Sequence, residues 1–489
     1  MREFSVTALA QIIRAPVDSS VNAGPAAPFH SSFFTGVSTD SRTTKPGDCF
    51  FAIVGDNFDG HDFLAEAFSK GAACAVVRRD TKTGKFADRT VLKVDDTIKA
   101  LGDLAREYRR RGNFKVVAIT GSVGKTTTRQ IVHHVLSQHY QVYQAPNNYN
   151  NNIGLPLTLL GAGPNHKIIV AELGSNCPGE IAYLTRIAQP DVAMVTNVHP
   201  VHLAGFGDLQ ALTQEKLSIS EGLRPGGDLI VNGDCDLLVK TCRAKGEKVI
   251  TFGKSDRGHI QVRNITYSDF NSSFTIEGTQ VCLPLPGPGN VENALAAWAV
   301  CSRLGLTIHN FGRALKTVSA VPMRAEFLHI GTLTVLNDCY NANPASMKNA
   351  LDILVRIGFA QKRRLVFICG DMAELGRQTR RLHAELGVWV AKAKIQLLVA
   401  VGKFACVTAA AAKRRAEHKV QIKSFEDTAS ACNNLEKFIE EYDIILVKGS
   451  RVAKLEMVIE RLKALFSSGV ARTSNLDPPD RSHKARGKR

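Results

Sequence analysis

The run KVVAI, residues 115–119, leads straight into TGSVGKT, residues 120–126, and then into a stretch whose apolar positions Ile131, Val132, Val135 and Leu136 have helical spacing. Gly124, Lys125 and Thr126 at such a strand-to-helix junction make an anion site. Glycine lets oxygens approach the backbone, and the first N–H groups of the helix point at them. Lys125 would neutralise β- and γ-phosphates, and the Thr126 hydroxyl would sit on Mg²⁺. The pattern G-x-x-x-x-G-K-[ST] is incomplete, because Ile119 stands at its first glycine and the nearest upstream glycine is Gly121. Two further apolar runs end in groups that could serve the same crevice. Glu172 closes IIVAE, and His199 and His202 follow DVAMVTNV. A carboxylate and an imidazole beside a triphosphate could hold a second Mg²⁺, although Mg²⁺ prefers oxygen and either histidine taken alone reads first as a loop residue bonded to backbone.

These groups need a parallel sheet, in which ligands gather at the carboxyl ends of the strands. The pattern supplies one. KIIVAEL, DVAMVTNV and DLIVNGD are uniformly apolar runs separated by helical stretches, as strands covered on both faces require. An antiparallel excursion is expected over 259–287, followed by a helix. From about 323 the alternation resumes with LTVLND, RLVFICGD, QLLVAVG, KVQIKSF and DIILVKG, a second unit of nucleotide-binding type. The expected fold class is α/β in three domains. They are an N-terminal substrate-binding domain over 1–112, a central P-loop-type ATPase domain over 113–322, and a Rossmann-like domain over 323–466. A disordered basic tail over 467–489 follows.

Composition narrows the class. A 489-residue chain with 44% hydrophobic and 22% charged residues belongs with ordinary globular proteins. No apolar run is long enough to span a bilayer, the N-terminus lacks a signal-peptide h-region, and the eleven scattered cysteines include no C-x-x-C pair. A cytoplasmic protein with reduced thiols and no stable membrane insertion is expected. The net charge of +17 suits a polyanionic small substrate. It would also suit nucleic acid, but no basic run interleaved with aromatics appears, and no nucleic-acid partner is expected.

The loop TGSVGKT, together with NNYNNNIGLPLTLL, AELGSNCPGEI, HLAGFG, NDCYNANPASMKNAL, GDMAELG and VKGSR, resembles the Mur ligases, whose phosphate loop also lacks the first glycine. The resemblance spans nearly the whole chain apart from the tail. It implies that a peptide carboxylate is activated by ATP as an acyl phosphate and then attacked by an amine. YNANP and GDMAELG resemble the members that join D-alanyl-D-alanine to UDP-N-acetylmuramoyl-tripeptide, which makes these two compounds the implied small-molecule substrates. The implied ATP contacts are Gly121, Ser122, Val123, Gly124, Lys125, Thr126 and Thr127. Asn151 and Asn152 fall beside the γ-phosphate, Asn290 and Asn293 frame the adenine, and Arg324 and Asp338 reach phosphate and ribose from the third domain. Glu172, His202 and Lys216 are the implied ligands of the second Mg²⁺, with Thr126 on the first. Lys216 falls where the family carries a lysine converted by CO₂ to a carbamate. Here KLS replaces the usual KGE, and on residues alone Lys216 reads as a surface helix lysine. Gly289 stands where relatives often have histidine. Thr39, Asp40, Ser41 and Arg42 resemble the turn that binds uridine diphosphate, and without the family they read as an Asx-turn. A monomer is the family expectation. Two other readings stay open: a sister Mur-type or folylpolyglutamate-type ligase using another amine, and a P-loop ATPase acting on nucleic acid.

Overall fold

The computed structural model describes residues 1–467 except 2, 16–32, 87, 147, 201–202, 257 and 418–419. Of the basic tail expected over 467–489, all but Ser467 lies outside the described residues.

The largest sheet has nine strands, in the spatial order Thr279–Leu283, Ser272–Ile276, Ile260–Tyr267, Val249–Gly253, Asp228–Asn232, Val192–Val195, Lys115–Thr120, Ile168–Glu172 and Val142–Gln144. The last seven of these run parallel, and the first two form the expected antiparallel excursion. In the three strands nearest the phosphate loop every residue but the first, Lys115, is buried, because helices cover both faces. Register sets the site. Val195 lies opposite Thr120, and Ile119 opposite Glu172, so three carboxyl ends finish at one level.

A four-stranded parallel sheet precedes it, Gly36–Ser38, Asp48–Phe51, Cys74–Arg78 and Val91–Val94. Helix Thr97–Arg111 connects the two, capped by the Asp96 carboxylate, which accepts from the Ile98 and Lys99 N–H groups. Its Leu101, Leu104 and Tyr108 belong to a single apolar core that runs from Phe4 to Ile187 and beyond. Arg109, fully buried, ties the helix to the larger sheet by donating to the Ala188, Gln189 and Phe114 carbonyls and pairing with Asp191 at 2.7 Å.

A six-stranded sheet follows, in the order Glu326–Ile330, Leu333–Asn337, Ile444–Lys448, Leu365–Gly370, Leu397–Val401 and Gln421–Phe425. Only its first strand is antiparallel. Helix Pro344–Gln361 covers one face, opened by a capping box between Asn343 and Ser346. Two apolar clusters of its own, one on each face, hold this unit together.

Strands Val142–Gln144, Val249–Gly253 and Glu326–Ile330 were not read from the sequence. The first and third are sheet edges and the second is only partly buried, so none has a wholly apolar run. All eleven cysteines are free thiols. Among the described residues no helix is long and apolar enough to cross a membrane.

Candidate active site

Strand Lys115–Thr120 delivers the loop 121–124, and helix Lys125–Ser137 carries it away. Gly124 adopts φ +85°, and a Cβ there would fall 2.2 Å from Asn293 Oδ1, so both conformation and space demand glycine. The loop is braced from the neighbouring strand end. Val123 N–H donates to Asn197 Oδ1 at 2.9 Å, and Ser122 Oγ exchanges hydrogen bonds with the His199 backbone at 3.0 Å. The Lys125 amine donates to the Gly121 carbonyl at 2.8 Å. Burial lowers its pKa, Glu172 opposes that, and Arg324 adds to it.

Thr126 Oγ1 donates to Glu172 Oε2 at 2.8 Å, and Asn150 Nδ2 donates to Oε1 at 3.1 Å. Burial pushes the Glu172 carboxyl up, but Lys125, Arg324 and Arg129 outweigh it and hold the pKa below the usual carboxylate range. The hydroxyl and the ionised carboxylate are hard oxygen donors, the set Mg²⁺ takes. Among the described residues no three His, Cys, Asp or Glu side chains cluster to hold a metal. The expected ligand His202 lies outside the described residues. His199 lines the cavity, and burial lowers its pKa.

Lys216 is not a surface residue. It stands on helix Leu209–Leu217, 2% exposed, with its amine donating to Ser175 Oγ at 2.7 Å and lying 5.7 Å from the Phe206 ring centre. Burial, then repulsion from Lys125, lowers its pKa to about 7. Glu215 does not stand in for the glutamate missing from KLS. Its carboxylate accepts from Gly179 N–H at 2.7 Å and Ile181 N–H at 2.9 Å and so anchors helix Glu180–Ala188.

The phosphate loop, Glu172 and Lys216 border one cavity of about 970 Å³. It is lined by Ser122, Val123, Gly124, Lys125, Thr126, Thr127, Asn151, Asn152, Glu172, Lys216, Asn290, Asn293, Arg324 and Asp338. Gly121 lies just behind, its carbonyl turned to Lys125. Asn151 Oδ1 also accepts from Gly154 N–H at 2.8 Å, where helix Gly154–Gly161 begins. Asn290 Nδ2 is tied to the Pro286 carbonyl at 2.8 Å. Gly289 N–H donates to Asn349 Oδ1 at 3.1 Å, so an asparagine from the C-terminal sheet's helix meets the start of helix Pro288–Arg303.

The opposite wall belongs to the C-terminal sheet. The Arg324 guanidinium lies 4.3 Å from the centre of the Tyr340 ring. Asp338 accepts from the Ala325 N–H at 3.1 Å and pairs with the buried Lys448 amine at 2.6 Å. Lys448 also donates to the Asn341 carbonyl at 3.0 Å. Sequence reading assigned no role to Asn150, Lys448 or Asn349. Each lies in a quoted motif, yet their importance depends on partners remote in the chain.

The turn holding Asp40, Ser41 and Arg42, entered through half-buried Thr39, is absent from this cavity. It closes on itself as an Asx-turn, with Asp40 Oδ1 accepting from Arg42 N–H at 3.0 Å and the two side chains paired at 2.7 Å. Ser41 Oγ donates to Glu66 at 2.7 Å.

The chain belongs to the Mur ligase family. Three of its family models match: the catalytic domain over 33–109, the middle domain over 119–301 and the glutamate ligase domain over 323–451. Among individual relatives, the UDP-N-acetylmuramoyl-tripeptide–D-alanyl-D-alanine ligase of Bacillus subtilis is 33% identical over 439 residues, 89% of this chain and 94% of the relative. The crystal structure of MurF from Acinetobacter baumannii is 30% identical and superposes with a TM-score of 0.84, covering 95% of this chain and 99% of that one. MurF from Thermotoga maritima, solved in complex with ADP, is 27% identical with a TM-score of 0.76, covering 88% and 98%.

Proposed function

We propose that this protein joins D-alanyl-D-alanine to UDP-N-acetylmuramoyl-tripeptide at the cost of ATP, giving the UDP-muramoyl-pentapeptide used in peptidoglycan synthesis. The observation that carries the reading is the meeting of Lys125, Thr126, Glu172 and Lys216 with Arg324 and Asp338 around one cavity, in a chain so close to D-alanyl-D-alanine-adding relatives.

Loop 121–124 and the first turn of the following helix seat the triphosphate, with Lys125 on its β- and γ-phosphates. Asn151 and Asn152 lie beside the γ-phosphate, Asn290 and Asn293 frame the base, and Arg324 and Asp338 reach phosphate and ribose. Thr126 is assigned to one Mg²⁺, and Glu172, His202 and Lys216 to a second. Held by these groups, Mg²⁺ would supply charge neutralisation to the phosphates. A peptide carboxylate oxygen bonds to the γ-phosphorus as its bond to the β,γ-bridging oxygen breaks, and ADP leaves. The amine of D-alanyl-D-alanine then attacks the acyl carbon, phosphate leaves, and an amide remains. Facing walls from two sheets exclude water from the acyl phosphate.

Carbamylation of Lys216 fits the buried site. An amine with a pKa of about 7 is substantially neutral at physiological pH, and only the neutral form adds CO₂. The turn at Thr39, Asp40, Ser41 and Arg42 holds the uridine diphosphate end, so the substrate extends across the first two sheets. The domain limits at 112, 322 and 466, a cytoplasmic location, a monomeric state and the lack of a nucleic-acid partner belong to the same proposal.

The test is phosphate release from ATP with Mg²⁺ and the UDP-tripeptide, with and without D-alanyl-D-alanine. Release that requires both, with the pentapeptide seen by mass spectrometry, is expected. Release indifferent to both overturns the reading, and a different amine in the product moves the chain to a sister activity.

A further inference from the structure

The turn between strands Ile260–Tyr267 and Ser272–Ile276, at the edge of the nine-stranded sheet, reaches across to the C-terminal unit. The Phe270 ring meets Phe327 edge to face, centroids 4.9 Å apart and planes at 84°, with the His329 ring 6.1 Å away. The Arg356 guanidinium lies 4.5 Å from the centre of the Tyr267 ring. Gln361 Nε2 donates to Asp269 Oδ2 at 3.0 Å. One short turn therefore makes an aromatic, a cation–π and a hydrogen-bonded contact, all with the other unit and all outside the cavity.

The elements it grips form the cavity's C-terminal wall. Phe327 and His329 lie on strand Glu326–Ile330, which begins just after Arg324 and pairs Glu326 with Asn337, the residue before Asp338. Arg356 and Gln361 lie on the last turns of helix Pro344–Gln361, whose second turn carries Asn349 against Gly289. That helix is about 27 Å long at 1.5 Å per residue. The central unit thus holds it towards both ends. A rigid element held at two separated points has its tilt fixed, whereas contacts clustered beside the cavity, Gly289 with Asn349 and Asn148 with Tyr340, leave the unit free to tilt about them. Rotation there would displace Arg324 and Asp338 from the phosphate loop.

We infer that the hairpin tip is a docking stop, in which Tyr267, Asp269 and Phe270 are positioning residues that register the C-terminal unit so that Arg324 and Asp338 face the nucleotide site. The inference rests on the proposed roles of Arg324 and Asp338. Contacts of this kind are individually weak, and three together bias a closed arrangement without locking it.

The test is steady-state kinetics on the full chain, comparing wild type with Tyr267→Ala/Phe270→Ala and with the helix-side pair Arg356→Ala/Gln361→Ala. The helix-side pair keeps the test available if the hairpin variant fails to fold. Expected is a KM for ATP raised about tenfold and a kcat lowered several-fold, with the KM for the UDP-tripeptide and the melting temperature unchanged. Phe270→Tyr, which keeps the ring, restores wild-type values. Parameters within twofold of wild type for both pairs overturn the docking stop. So does a uniform rise in every KM together with a lowered melting temperature, because that reports general loosening. A wild-type protein that forms no product overturns the ligase reading itself, and the docking stop with it.

Discussion

The cavity around Lys125 and the turn around Asp40 are expected to hold the two ends of one substrate, yet they are built on opposite terms. At the cavity, Glu172 and Lys216 are buried and Lys125 half-buried, and all three pKa values are shifted by burial and by neighbouring charges. At the turn, Asp40 and Arg42 face solvent, and the pull on Asp40 comes first from its own hydrogen bond to Arg42. Buried charges cost folding energy and are kept where they act on charge that develops during reaction. An exposed turn is inexpensive to hold and suits recognition of a group that does not react.

That contrast gives a graded set of expectations. Lys125→Ala should lower kcat/KM by about a thousandfold, in the range seen when a preorganised charge contact in an active site is removed, with a circular dichroism spectrum like wild type. Lys216→Met should cost about a hundredfold on the same scale. In the wild type, added bicarbonate should stimulate activity more at pH 6 than at pH 8. The neutral amine is scarce below its pKa of about 7 and abundant above it, so CO₂ is already well captured at the higher pH. Equal stimulation at both values would remove the carbamate from the account. Lys448→Met leaves Asp338 without its 2.6 Å partner and should raise the KM for ATP about tenfold. Asp40→Ala sits at the small end, with KM for the UDP-tripeptide raised about fivefold, kcat untouched and a melting temperature within a degree, since exposed ion pairs add ~1 kcal/mol or less to stability. A large loss of kcat in Asp40→Ala would erase the distinction between the two ends.

Most of the scaffold was legible because parallel strands covered on both faces must be apolar throughout, as in KVVAI, IIVAE and IILVK. The short edges Val142–Gln144 and Glu326–Ile330 escaped because one-sided burial leaves a mixed pattern. The phosphate loop was legible because local backbone needs fix glycine and lysine at set spacings. Lys216 was misread on residues alone. Nothing near it in the chain announces that Ser175 and Phe206 enclose its amine. Lys448 and Asn349 went unassigned for the same reason, since the partners that give them meaning, Asp338 and Gly289, lie far away in sequence.

Arg109 has a mechanical consequence. Its guanidinium binds the first sheet's exit helix to backbone and carboxylate of the nine-stranded sheet, within an apolar core that both share, while the six-stranded sheet keeps separate cores. The three larger sheets therefore amount to two cooperative bodies. Heated slowly in a calorimeter without ligands, the chain should melt as two transitions, residues up to about 320 in one and the remainder in the other. Arg109→Ala should split the larger transition and leave the smaller in place.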